Sequence, residues 1–79
     1  MARRTLVVHR NGKLAHPRDA QRLLEHLAAQ PGVESVRVET MPLCVVLGVV
    51  SELADEPTLR ALVQRQRVVI PAPMSQGIH

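Results

Sequence analysis

The sequence predicts an α+β fold in which two helices cover one face of a four-stranded antiparallel sheet. Three observations carry this prediction. Two segments have the apolar spacing of amphipathic helices, and each opens near a proline. Short β-branched runs alternate with them in the order strand, helix, strand, strand, helix, strand. The eight residues from Leu43 to Val50 are apolar on both alternating faces, whereas a strand with one wet face alternates apolar and polar side chains. Both faces of that run are therefore expected to be covered.

The elements follow in order. Thr5–His9 is β-branched and apolar and reads as the first strand. Asn11-Gly12 is a strong hairpin-turn signal, and Lys13-Leu14-Ala15 is at most a short arm before Pro17. Pro17 suits the first position of a helix, where a missing N–H costs nothing, and Asp19 in the first turn complements the helix dipole. Ala20, Leu23, Leu24, Leu27 and Ala28 form one apolar stripe, ended by Gln30-Pro31-Gly32.

Val33 to Thr40 alternates as a half-buried strand, with Val36 and Val38 on one side and Arg37 and Glu39 on the other. Met41-Pro42 turns the chain into the Leu43–Val50 run, where Gly48 signals a bulge or a close backbone approach. Capping residues between Ser51 and Glu56 precede Pro57 and a short stripe of Leu59, Leu62 and Val63. Arg67 to Ile70 is the last strand, stopped by Pro71 and Pro73. Residues 1–73 thus form one α+β domain, and 74–79 are expected to be a flexible tail.

This order is that of the ferredoxin-like plait, a βαββαβ unit. Right-handed crossovers and a hairpin between the second and third strands would place the first and third strands in the middle of the sheet. Within this frame, Pro31-Gly32-Val33-Glu34-Ser35-Val36-Arg37-Val38 resembles the helix-to-strand passage of heavy-metal-associated, copper-chaperone-like domains. That family's Met-x-Cys-x-x-Cys loop is missing: the corresponding Arg10–His16 segment holds no cysteine. The resemblance therefore implies the fold without the metal chemistry. Asn11-Gly12-Lys13-Leu14 after the first strand is similar to ACT domains, which implies regulation through paired domains and no catalysis.

Composition narrows the function classes. In 79 residues there is no Phe, Trp or Tyr, which argues against proteins that stack bases on aromatic rings. The single cysteine excludes an intrachain disulfide and fits a reducing, cytoplasmic setting. No signal-peptide core is recognised, and the apolar run falls well short of the ~20 residues that span a bilayer, so no membrane partner is expected. No cofactor motif is present and no enzyme is predicted. A net charge of +3 permits an anionic partner.

The plait gathers the first loop, the hairpin turn and the last loop at one end. Arg10, Lys13, Arg65 and Arg67 are candidates for binding a phosphate, a small anion or nucleic acid there, with Arg3, Arg4, Arg18 and Arg22 adding to a nucleic-acid surface. His9, His16 and Cys44 are candidate ligands for a soft metal. The sheet face away from the helices carries either Leu43, Val45, Leu47 and Val49 or Cys44, Val46, Gly48 and Val50, and the first set is taken as the candidate interface. An apolar patch of that kind calls for a partner. The leading expectation is a non-enzymatic binding or regulatory module that forms a homodimer or docks to a protein partner through the open face or the edge of its sheet.

Overall fold

The computed structural model describes residues 2–70. Its elements are β1 (Arg3–Arg10), β2 (Lys13–Leu14), α1 (Pro17–Ala28), β3 (Val33–Thr40), β4 (Leu43–Val50), α2 (Glu56–Gln64) and β5 (Val68–Val69). The expected tail over 74–79 lies outside the described residues, as do Pro71 and Pro73.

A three-stranded antiparallel sheet runs β1-β4-β3, and a separate two-stranded piece joins β2 to β5. β4 is central, as its apolar sequence requires, with Val45 opposite both Val8 and Val38. Among the described residues β1 is an edge strand, which corrects the expectation of a four-stranded sheet with the first strand inside it. The reason lies at Gly12. With φ at 100° this residue takes a conformation that L side chains avoid, and the chain leaves β1 there. β5 then pairs with Lys13 and Leu14 beyond the turn instead of with β1. A Cβ on Gly12 would lie 2.7 Å from the Val69 carbonyl oxygen, so the approach of β5 depends on glycine.

Both helices pack on one face. α1 contributes Leu23 and Leu27 to the core and α2 contributes Leu59 and Val63; they meet Leu6 and Val8 of β1 and the odd-numbered residues of β4. The α1 stripe is narrower than its sequence suggests, since Ala28 is exposed. Each helix is capped by its own sequence. His16 Nδ1 accepts the Arg18 N–H at 3.1 Å, and Asp55 accepts from both the N–H and the hydroxyl of Thr58.

β1 also holds both ends of α2. At the start, Arg4 Nη1 lies 2.8 Å from Glu56 Oε1. At the end, Arg10 Nη1 donates to the carbonyls of Val63, Gln64 and Gln66. A cation on the last carbonyls of a helix satisfies acceptors that have no partner inside the helix and complements its dipole.

Candidate functional site

The two faces of β4 are sorted by their neighbours. Leu43, Val45, Leu47 and Val49 are at most 1% exposed and belong to the core beneath the helices. This corrects their assignment as interface residues: their cross-strand partners Arg10, Val8, Leu6 and Arg4 lie on the side of β1 that meets α2. The open face carries Cys44, Val46, Gly48 and Val50.

That open face is less bare than its sequence suggests. Arg3 stands opposite Val50 and reaches across β4 to Glu34, with Nε to Oε1 at 2.9 Å. Arg37 lies opposite Val46 and faces Glu39 at 3.9 Å. Long polar side chains cover apolar surface with their stems while their charged ends stay in water. Cys44 at 9% and Val50 at 4% exposure are accordingly buried outside the main core, and Val7 at 41% is the most open apolar side chain of the three-stranded sheet.

The candidate metal set is not assembled. His9 is directly opposite Cys44 on the open face, while His16 caps α1 with its Nδ1 engaged. Among the described residues, no three His, Cys, Asp or Glu side chains come together as a metal site.

The three loops do converge at one end. Leu43 N–H donates to the Gly12 carbonyl at 2.8 Å, and Ala15 N–H to the Arg67 carbonyl at 3.1 Å. Of the four anion candidates assigned there, Arg10 is spent on the C-terminus of α2 and is withdrawn from the set. Lys13, Arg65 and Arg67 are exposed and form no salt bridge among the described residues. A hollow of about 390 Å³ brings Arg67 beside Arg22, His16 and Asp19, and an adjoining one of about 180 Å³ adds Arg18. A third, of about 360 Å³, is lined by Lys13, His16 and Met41 among others.

Charges elsewhere are tied to partners. Glu56 holds Arg4 and Arg60, and these guanidiniums keep its carboxyl below the ordinary carboxylate range, Arg4 most of all. Glu52 is likewise held low, chiefly by the Ala2 N–H that donates to it at 2.9 Å.

The outer edge of β1 is a feature that the sequence reading did not single out. Ser51 N–H donates to the Ala2 carbonyl, which sets the phase of the ladder: the even-numbered residues of β1 turn their backbone toward β4 and the odd-numbered ones turn theirs outward. In keeping with this, the outward His9 carbonyl accepts from Gln64 Nε2 at 3.4 Å. The backbone groups of Thr5 and Val7 have no partner among the described residues. The one signal in the sequence is that the last apolar run, Val68-Val69-Ile70, is brief, but no residue of β1 itself announces it. The chain matches no protein-family model, no curated protein and no solved structure.

Proposed function

We propose that this protein is a non-enzymatic interaction module that self-associates by pairing β1 with β1 of a second copy. The observation that supports this is the outer edge of β1, which has no strand beside it among the described residues because β5 pairs with Lys13–Leu14. Unpaired strand edges are templates for further strands unless charge, proline or a covering element blunts them.

The other edge strand, β3, is blunted by Glu34, Arg37 and Glu39, all exposed. β1 is uncharged from Thr5 to Val8, and its two N-terminal arginines are neutralised within the chain by Glu34 and Glu56. A second copy can therefore approach without meeting an unpaired like charge. Antiparallel pairing about a two-fold axis, the commonest symmetry of soluble oligomers, would join the sheets and bring the half-open Val7 side chains of both copies toward one another.

The test is the mass in solution over a wide concentration range, for the natural chain and for Thr5→Pro. The Thr5 N–H points outward, so proline there removes no bond of the sheet, and edge strands accept it. A dimer is expected for the natural chain and a monomer with an unchanged far-UV spectrum for Thr5→Pro. A monomer throughout, or a dimer that Thr5→Pro leaves intact, overturns the proposal.

A further inference from the structure

The cations of this chain fall into two groups. Arg3, Arg4, Arg37 and Arg60 each face a carboxylate, and Arg10 is absorbed by helix carbonyls. The other five, Lys13, Arg18, Arg22, Arg65 and Arg67, have no salt-bridge partner among the described residues, and all are exposed.

Four of these five are also gathered in space. His16 lines three adjoining hollows, which place Lys13, Arg18, Arg22 and Arg67 around it, and Arg65 lies two residues before Arg67. Asp19 is the only carboxylate lining those hollows. The N-terminus of α1 opens on the same surface and adds its partial positive charge. Carboxylates pair with cations elsewhere among the described residues, whereas here Asp19 alone stands among Lys13, Arg18, Arg22 and Arg67.

We infer that this end binds the phosphate backbone of a nucleic-acid duplex without reading its sequence. The cations project from α1, β2 and the link between α2 and β5, spread over shallow open hollows instead of converging on one enclosed pocket. Spaced cations of this kind suit a line of phosphates better than a single anion. A chain with no aromatic residue has no ring on which to stack an unpaired base, whereas backbone contacts need only Lys and Arg. The surface centres on His16 and the start of α1, and its test reads duplex binding where the proposed self-association is read by mass, so the two stand or fall separately.

The experiment measures fluorescence anisotropy of a short labelled DNA duplex of arbitrary sequence, titrated with the full chain at several salt concentrations. Binding that weakens linearly in log K against log salt is expected, with equal affinity for a duplex of scrambled sequence. Arg22→Ala and Arg67→Ala should each reduce the slope by about one, the share of one phosphate contact, while Arg37→Gln on the opposite face leaves it unchanged. Absence of binding at low salt overturns the inference, as does a slope that neither Arg22→Ala nor Arg67→Ala alters or that Arg37→Gln alters equally. Equal displacement of the duplex by inorganic phosphate or by polyglutamate, at matched charge, also overturns it, in favour of a single-anion pocket or an acidic protein respectively.

Discussion

β4 has two apolar faces, and the molecule treats them differently. Leu43, Val45, Leu47 and Val49 lie under two helices and are almost wholly removed from water. Cys44, Val46, Gly48 and Val50 have no second layer within the described residues, yet two of the four are buried. Polar side chains of the flanking strands stand over that face: an Arg3–Glu34 bridge crosses β4 beside Val50, Arg37 lies opposite Val46, and Glu39 and His9 lie opposite Cys44. A strand that is apolar on both faces therefore does not by itself require a second sheet or a partner over it. Of the two routes to self-association, face or edge of the sheet, the edge is the one that remains.

The sharpest way to break this comparison is one substitution made on each face. Val45 and Val46 are neighbours of the same size, one fully buried against the helices and one half-exposed beside Arg37. Val45→Thr buries a hydroxyl in a core with no polar side chain, which costs about 1 to 3 kcal/mol. Val46→Thr leaves its hydroxyl within reach of water and should stay within about 0.5 kcal/mol of the natural chain. Urea denaturation of both variants is the check. Equal losses would mean that the open face is as dry as the core, and the account of the side-chain cover would then be wrong.

The same comparison shows what the sequence made legible. The bounds of β4 were readable, as were the start of α1 at Pro17 and the alternation of β3, because each rests on local chemistry: an apolar run between turns, a proline at a helix start, a period of two. Which face of β4 meets the helices was not readable, because period two assigns a face only when polar residues mark the other one. The register settles it by setting Leu47 opposite Leu6 and Val45 opposite Val8. Arg10 was misread for a related reason. A guanidinium at the end of a strand looks like an anion ligand until a helix C-terminus, more than fifty residues on in the chain, engages its Nη1. The pairing of β5 with Lys13–Leu14 is equally non-local, and Asn11-Gly12 marks only that a turn occurs.

Gly48 offers a finer test of the open face. It lies opposite Ser35, beside the register shift at Val33, and a Cβ added there would collide with Ser35 Oγ but sit 3.6 Å from Ser35 Cβ, an ordinary contact. Gly48→Ala should therefore be better tolerated in a Ser35→Ala background than in the natural one. Residues in contact commonly show coupling of about 0.5 kcal/mol or more. A double-mutant cycle by thermal denaturation measures it, and strict additivity would show that the serine turns away without cost.

The smallest expected effect lies at the rim, where Glu56 ties β1 to α2 through Arg4 and Arg60. Exposed ion pairs contribute little and are screened by salt, so Glu56→Gln should lower stability only slightly at neutral pH. The direction with pH is nonetheless fixed. Because the two guanidiniums hold the Glu56 carboxyl below its ordinary value in the folded state, its contribution is fully present above the ordinary carboxylate range. It is lost as the pH falls through the lowered folded value. Thermal melts of the natural chain and of Glu56→Gln should thus differ at neutral pH and converge in acid. Val45→Thr provides the contrast, since a buried hydroxyl does not titrate and its deficit should persist across the same range. Curves for Glu56→Gln that run parallel to the natural chain down into strong acid would show that the tie between β1 and α2 does not depend on charge.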